Sequence, residues 1–294
     1  MGLSLLLIGC TLSPAEQTSK ADVHLQRTAA KLAKQTDADS LAAAGLLTSA
    51  SHRDESLDLL TRAAAAAPER PELVWIQAQV CTSIAGCDPE PMERRLRELD
   101  PANGAGWMGP LIRAHSSSND EAMDAALAAI GQSDHFDIYW TTLIARLGRA
   151  TARVKTMSLE EGEVTIVGVL AAQAIPVYAV AANACKGERL QRPAIIDACR
   201  GVARSFENGD TYITEMIGIA IAKRVWPEDS PQWRAAADAR RQYEYRSQFW
   251  REMDVAGNSH AERYLTLCAE NRREQDVLKA QLIAAGKNPN PPSE

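Results

Sequence analysis

The sequence predicts an all-α protein, and three observations support that prediction. Of its 294 residues, 46% are hydrophobic and 24% charged, which is ordinary for a chain that buries a core. Aromatic residues make up only 5%, whereas the good helix formers Ala, Leu, Glu, Gln and Arg are abundant. Alternating runs of β-branched residues, which indicate strands, are nearly absent. We therefore expect helices throughout the chain.

The first residues resemble the leader of a bacterial lipoprotein. Leu7-Ile8-Gly9-Cys10 has the lipobox pattern, but the nine residues before Cys10 include no Lys or Arg. A secretory leader has a basic start and an apolar stretch of about 7 to 15 residues. We therefore expect residues 1–9 to be the remnant of a leader that starts upstream, and Cys10 to carry a lipid. Residues 10–36 should form a flexible tether, at 11–20, and a first helix. A chance match in an N-terminal apolar helix is the alternative.

Acidic and polar residues mark the beginnings of helices between residues 37 and 156. Asp54-Glu55, Pro71-Glu72 and Asn119-Asp120 each stand at the start of a run with apolar residues three and four apart. Each run then stops at Gly or Pro. Short helices that follow one another in this way predict helical hairpins.

Tryptophan and proline recur in this region at nearly constant spacing. Trp75, Trp107 and Trp140 are separated by 32 and 33 residues, and Pro68 and Pro101 are 33 apart. A period of this length is typical of helical repeats.

The repeat resembles the tetratricopeptide repeat family, whose unit is a helix-turn-helix. In the stretch ESLDLLTRAAAAAPERPELVW, the family's packing positions and its terminal proline match Ser56, Leu60, Ala63 and Pro68. Pro110 departs from the family pattern because it falls inside the helix after Trp107. The resemblance covers residues 37–156 and implies stacked helical hairpins, as in an α-solenoid.

The C-terminal half begins with an uncharged segment. Residues 164–185, VTIVGVLAAQAIPVYAVAANAC, are long enough to meet the transmembrane criterion of about 18 apolar residues. We favour a buried helix at the centre of a bundle, because a span would divide the helices and cysteines between two compartments. The span is the alternative. We expect residues 157–286 to form a helical bundle ending in long helices at about 231–256 and 259–285. The tail 287–294, KNPNPPSE, should be disordered or extended.

Cysteine spacing predicts two disulfides. Cys81 and Cys87 are six residues apart, and Cys185 and Cys199 are fourteen apart. Each pair spans a predicted helix end, so each could close a local loop in an oxidising compartment, and a loop of about 15 residues contributes roughly 3 kcal/mol. Cys268 is left as the odd thiol. Buried free thiols in a cytosolic protein are the alternative.

The sequence offers no recognisable catalytic, cofactor or metal site. H-E-x-x-H, G-x-S-x-G, Walker A and G-x-G-x-x-G are all absent, and no C-x-x-C accompanies a His pair. The polar segment SDHFD at 133–137 is interpreted as a cap, with Ser133 or Asp134 at the start of the helix that carries Trp140. With 32 basic and 38 acidic residues, the net charge of -6 also argues against a nucleic-acid partner.

The segment PQWRAAADARRQYEYRSQFWREM, at 231–253, is a candidate binding surface. We expect Trp233, Tyr243 and Trp250 to share one helical face that packs on the core. Arg and aromatic residues dominate protein interfaces, so we take the residues on another side as candidate partner anchors. They are Arg241, Tyr245, Arg234 and Phe249. A solvated basic face is the alternative.

These features together favour a periplasmic lipoprotein that acts by binding another protein. Thr11 rather than Asp after the lipobox resembles the pattern of outer-membrane sorting. A general similarity to immunity lipoproteins suggests a partner of one class, a cell-wall-attacking toxin encoded by a neighbouring gene. A scaffold lipoprotein for an envelope complex is the second interpretation, since helical stacks present extended concave surfaces. An enzyme with an unrecognised site is the third.

Overall fold

The computed structural model describes residues 14–249 and 258–291, and the regular secondary structure in these ranges is helical. The all-α prediction is confirmed. The helices are α1 (Pro14–Leu32), α2 (Ala38–Thr48), α3 (Arg53–Ala66), α4 (Pro71–Thr82), α5 (Glu90–Leu99), α6 (Met108–Ser116), α7 (Asp120–Gln132), α8 (Trp140–Arg153), α9 (Leu159–Ala184), α10 (Pro193–Glu207), α11 (Tyr212–Val225), α12 (Pro231–Gln248), α13 (Asn258–Glu270) and α14 (Glu274–Ala284). Short 3-10 helices cover Gly104–Trp107 and Gly187–Gln191.

Local sequence explains where several of these helices begin. Asn119 caps α7 by accepting the Ala122 N–H at 3.0 Å. At the start of α9, Ser158 and Glu161 form a reciprocal capping box, with bonds of 2.7 and 3.1 Å. Pro110 lies in the first turn of α6, where the missing N–H of a proline breaks no helical bond.

The close packing of α2 on α3 uses the residues that match the tetratricopeptide pattern. Ser56, Leu60 and Ala63 are fully buried. The Ser56 hydroxyl donates to the Gly45 carbonyl at 2.7 Å, and a Cβ added to Gly45 would lie 2.8 Å from Leu60 Cγ. Small residues therefore set the distance between these two helices. Membership of the repeat family itself stays a prediction.

Successive helices pack on one another in the first part of the chain, and later helices fold back over them. α2, α3, α4 and α5 pack in sequence, and α6, α7, α10, α11 and α12 form a second series of neighbours. α8 packs on α2, α9 and α13. Packing therefore crosses the predicted boundary between residues 156 and 157, and one hydrophobic core extends from Leu32 to Val277.

α9 lies between the two series and contacts α2, α6, α8, α11 and α13. Ile166, Leu170 and Ala181 are buried on one face, whereas Val164 is 62% exposed and Ala172 is exposed on another. The expected burial holds for one face of α9, whereas its neighbours leave a groove along another face. Among the described helices, none has an apolar stretch sufficient to cross a membrane.

The two long C-terminal helices expected at 231–256 and 259–285 also need correction. α12 ends at Gln248, and a break at residues 271–273 divides the second helix into α13 and α14. Contacts with distant parts of the chain stabilise the non-helical residues 271–273. Arg272 Nη1 donates to both carboxylate oxygens of Asp137, at 2.6 and 2.7 Å, and the Arg273 guanidinium donates to the Glu207 carbonyl at 2.8 Å.

The chain ends agree only partly with the sequence interpretation. Cys10 and the expected leader remnant 1–9 lie outside the described residues. α1 begins at Pro14, so the expected tether is helical from that residue on. Pro is favourable at the first helical position, and the Ala, Glu and Gln that follow are good helix formers. Residues 287–291 of the predicted tail form no helix.

Candidate functional site

A groove of about 930 Å³ runs between the ends of α2–α6 and the exposed stripe of α9. We call it the α9 groove. Its described lining consists of Ser49, Ala50, Arg53, Gln79, Val80, Thr82, Ser83, Cys87, Pro89, Glu93, Met108, Gly109, Ile112, Arg113, Gly168, Val169, Ala172 and Val180. Five helices and two loops therefore contribute to a single concave surface.

The floor of the α9 groove is apolar. Val169, Val180 and Ile112 contribute aliphatic side chains, and the exposed Gly168 and Ala172 leave space above the helix backbone. A Cβ added at Gly168 would have no other atom within 4 Å. A concave apolar surface of this kind suits an apolar segment of another molecule better than it suits water.

An ion pair between the buried Glu93 and the half-exposed Arg113 supports one wall of the groove. Arg113 donates to both carboxylate oxygens of Glu93, at 2.8 and 2.7 Å, and to Glu90 at 2.6 Å. Burial raises the pKa of Glu93, and the Arg113 guanidinium opposes that rise. A Cβ at Gly109 would lie 1.7 Å from Glu93 Oε1, so glycine is what allows the carboxylate to sit there. The paired fork fixes the orientation of both side chains.

Arg53 adds a second cation to the lining. Its guanidinium is exposed and donates to the Ser83 carbonyl at 3.0 Å, which links the start of α3 to the end of α4. Together with the Glu93–Arg113 pair, Arg53 leaves the described lining with an excess of one positive charge.

Both predicted disulfides are present. Cys81 bonds to Cys87, which lines the α9 groove, and Cys185 bonds to Cys199, which ties the end of α9 to α10. Cys268 is free and buried, and burial raises the pKa of its thiol to about 12. The first disulfide therefore holds a wall of the groove, and the second anchors its floor helix.

The predicted partner anchors lie on α12 and at its C-cap, outside the groove. Two of them lie in a cleft beside α11, and the other two contact the C-terminal tail. Arg234 and Arg241 lie in a shallow cleft of about 610 Å³ between α11 and α12, beside Lys223. Both arginines are exposed, and Arg241 forms an ion pair with Asp238. This cleft carries mixed charge.

Tyr245 and Phe249 instead pack against the C-terminal tail. Their ring centroids are 5.2 Å apart. The Tyr245 hydroxyl donates to the Asn288 carbonyl at 3.2 Å, and Lys287 Nζ lies 4.4 Å from the Phe249 ring centroid. These two aromatic residues already serve an intramolecular contact. Their role in binding a partner stays a prediction, as does that of the two arginines.

The expected core face of α12 is partly described. Tyr243 packs against Tyr212, with ring centroids 4.6 Å apart. Trp233 is half-buried, and Lys223 Nζ lies 4.9 Å from its ring centroid. Trp250 lies outside the described residues.

The interpretation of SDHFD as a helix cap was wrong. Ser133 ends α7, Asp134 is exposed, and Tyr139 precedes α8 in the left-handed region with φ 61°. The backbone N–H groups of Ile138 and Trp140 donate to Asp210, at 3.1 and 2.7 Å. The start of α8 is therefore satisfied by a residue about 70 positions later in the chain, which no local pattern indicates.

The rest of this segment belongs to a polar cluster. Tyr139 Oη donates to Asp100 at 2.9 Å, and His135 Nε2 lies 3.6 Å from the same carboxylate. A hydrogen bond to Asp100 raises the pKa of His135. Asn103 donates to the Asp137 carbonyl at 2.9 Å. Most of these contacts satisfy backbone groups or join loops, so we assign the cluster a structural role.

No protein-family model matches the chain, and no curated protein or solved structure shows significant similarity to it. The α9 groove is therefore the main physical basis for a functional inference.

Proposed function

We propose that this chain is a non-catalytic binding protein of the bacterial periplasm that holds another protein in the α9 groove. The observation that carries the proposal is the apolar floor of a groove of about 930 Å³, to which α9 contributes Gly168, Val169, Ala172 and Val180. Water against Val169, Val180 and Ile112 is released when an apolar segment covers them, and each buried methylene contributes roughly 0.8 kcal/mol.

The chemistry of the lining favours an amphipathic helix or loop as the bound segment. Its apolar side chains would face the floor, in the manner of a helix in a groove. An acidic side chain would face Arg53, which is exposed at the α3 end of the groove. Most of the affinity would then come from a few buried anchors on the partner.

Our most specific form of the proposal is an immunity protein that neutralises a cell-wall-attacking toxin. Such a protein must hold its target tightly, and a Kd near 1 nM corresponds to roughly -12 kcal/mol. The two disulfides support an oxidising compartment, where toxins of this class act. We propose that the chain is held at the outer membrane by a lipid on Cys10. Intact-mass analysis of native protein should show the adduct, and unlipidated protein from the cytosol would contradict it.

Co-expression tests the function directly. The full chain and the toxin encoded by the adjacent gene are directed to the periplasm, and survival is compared with cells that express the toxin alone. We expect survival, a one-to-one complex of the purified proteins, and no chemical change in the toxin. Undiminished killing would overturn the proposal. Binding to a multi-subunit envelope complex instead would support an assembly scaffold.

A further inference from the structure

A second cavity, of about 390 Å³, lies on a different face of α9 from the groove. Val167 and Ala171 of α9 line it, whereas Gly168 and Ala172 line the groove. Five aromatic side chains from five helices surround the cavity, namely Trp140, Tyr178, Tyr212, Tyr243 and Tyr264. Four of the six tyrosines of the chain therefore meet at one place. Its volume falls within the range of about 300 to 1,000 Å³ typical of small-molecule sites.

One acidic group lies in this aromatic pocket. Glu274 carries the only charged side chain among the described lining residues. It is 7% exposed, and its Oε2 accepts the backbone N–H of Tyr212 at 2.7 Å. Burying a carboxylate away from cations costs free energy, and here no lysine or arginine in the described lining offsets that cost.

The aromatic rings lie close enough to Glu274 to interact with it electrostatically. Burial raises the pKa of the phenols of Tyr178, Tyr243 and Tyr264, and the negative charge of Glu274 adds to each rise. Tyr212 and Tyr243 are in ring contact, with centroids 4.6 Å apart. The carboxyl group and the rings therefore form one connected site.

Aromatic faces and a carboxylate attract the same kind of ligand. The face of an aromatic ring is negative, so it attracts a cation that lies within about 6 Å of the ring centroid. We propose that the aromatic pocket binds a small organic cation, a quaternary ammonium or protonated amine with apolar substituents, and that Glu274 is its counter-ion. This site is separate from the α9 groove, so the inference stands whether or not the groove binds a protein.

The titration of Glu274 gives the site a pH dependence. Burial raises the pKa of Glu274 to about 7, with the Tyr212 N–H and the Trp140 indole opposing the rise and Glu215 adding to it. The other titratable groups that interact with it are Tyr178, Tyr243, Tyr264 and Cys268. Their raised pKa values keep them neutral below pH 9. The ionised fraction of Glu274 falls roughly thirtyfold between pH 8 and pH 5.5, so a cation should bind roughly 10- to 30-fold more weakly at the lower pH.

Calorimetric titration of the full chain tests the proposal. The probes are choline and benzyltrimethylammonium, and 3,3-dimethylbutan-1-ol is the uncharged isostere of choline. We expect saturable binding of at least one cation at pH 8, binding of the isostere at least tenfold weaker than that of choline, and weaker cation binding at pH 5.5. Equal affinity for choline and its isostere, no binding of either cation, or affinity independent of pH would each overturn the proposal.

Variants locate the binding in the pocket. Glu274→Gln should weaken cation binding at least tenfold and abolish its pH dependence. Tyr243→Leu should weaken it similarly, whereas the matched variant Tyr245→Leu, two residues along α12 and outside the pocket, should leave it unchanged. Equal losses in the two tyrosine variants would contradict the assignment. The comparison of choline with its isostere needs only the wild-type chain, so the proposal remains testable if a variant fails to fold.

Discussion

Asp210 shows, at the scale of single residues, how a helix can be capped from a distant part of the chain. Its carboxylate accepts the N–H groups of Ile138 and Trp140 and lies fully buried. Burial and the neighbouring Asp137 raise the pKa of Asp210, and the two N–H bonds oppose that rise. Asp210 can cap α8 only when the loop between α10 and α11, which carries it, is folded against the start of α8.

Replacing Asp210 should be far more costly than replacing the exposed aspartate that the sequence suggested. Asp210→Ala leaves two buried N–H groups without acceptors, and each costs about 1 to 3 kcal/mol, so we expect a loss of roughly 2 to 6 kcal/mol. Asp134→Ala should change stability by less than about 0.5 kcal/mol. Urea unfolding of both variants measures the difference. Equal losses of stability in the two variants would contradict the capping role of Asp210.

Glu274 predicts a pH dependence of stability. Its folded-state pKa of about 7 lies above the ordinary value of 4.5, so the folded chain binds this proton more tightly than the unfolded chain. The resulting stabilisation is complete below pH 4.5 and is lost as the pH rises through 7. Relative to Glu274→Gln, the wild-type chain should lose about 3 kcal/mol between pH 4.5 and 8. Parallel pH profiles of unfolding free energy for the two proteins would contradict this.

At the scale of helices, paired glycines allow α7 and α10 to cross in backbone contact. A Cβ added to Gly201 would lie 2.2 Å from the Gly131 carbonyl oxygen, and one added to Gly131 would lie 2.6 Å from the Ala198 carbonyl oxygen. Backbone atoms cannot move aside as a flexible side chain can, so these two positions set the distance between the helices.

Two glycine-to-alanine changes in helix interiors should therefore have opposite effects. Gly201→Ala forces α7 and α10 apart, and overpacking of this kind costs roughly 1 to 3 kcal/mol or more. Gly168→Ala meets no atom within 4 Å and should stabilise α9 by up to about 1 kcal/mol through helix propensity. Thermal unfolding by circular dichroism measures both. A stabilising Gly201→Ala would contradict the packing described for α7 and α10.

Helix beginnings could be predicted from sequence where local signals determine them. Asn119 before α7 and Pro71 at the first position of α4 were sufficient. The break between α13 and α14 was missed because Asn271-Arg272-Arg273 contains no Gly or Pro. The break depends on Arg272 and Arg273 reaching loops more than 60 residues earlier in the chain. Long-range contacts of this kind leave no local pattern.

The same reasoning explains which parts of the two cavities could be predicted. The uncharged run at 164–185 indicated a helix in contact with apolar surroundings, which α9 is, but not which of its faces would stay open. The aromatic pocket collects Trp140, Tyr178, Tyr212, Tyr243 and Tyr264 from five helices. The spacing of these five residues in the sequence follows no single period. Tertiary packing brings them together, so the sequence alone did not predict the pocket.

At the scale of the whole molecule, the two disulfides hold the walls and the floor of the α9 groove. Cys81–Cys87 lies in one wall, and Cys185–Cys199 ties the end of the floor helix α9 to α10. Among the described cysteines, only Cys268 should react with an alkylating reagent after unfolding without a reductant. Replacing Cys185 and Cys199 by serine should lower the free energy of unfolding by about 3 kcal/mol. Replacing Cys81 and Cys87 should lower it by about 2 kcal/mol, because the loop that this disulfide closes is shorter. Peptide mapping and urea unfolding check these values. Alkylation of all five would contradict the disulfide assignment.

The whole fold places α9 between two cavities of different chemistry. One face meets the apolar groove, and another meets the aromatic pocket with its buried acid. The groove is the larger and is formed by helices from both sides of residue 156. A partner bound there would contact the helical stack and the floor helix together.

A matched pair of alanine-to-arginine variants tests the α9 groove most directly. Ala172 and Ala65 are both exposed on helices, but only Ala172 lines the groove. Calorimetry measures the affinity of each variant for the partner that we propose, a toxin encoded by the adjacent gene, and thermal unfolding checks that both variants remain folded. We predict that Ala172→Arg weakens binding at least 100-fold and that Ala65→Arg changes it less than threefold. Wild-type affinity in Ala172→Arg, or an equal loss in both variants, would contradict the assignment of the groove as the binding surface.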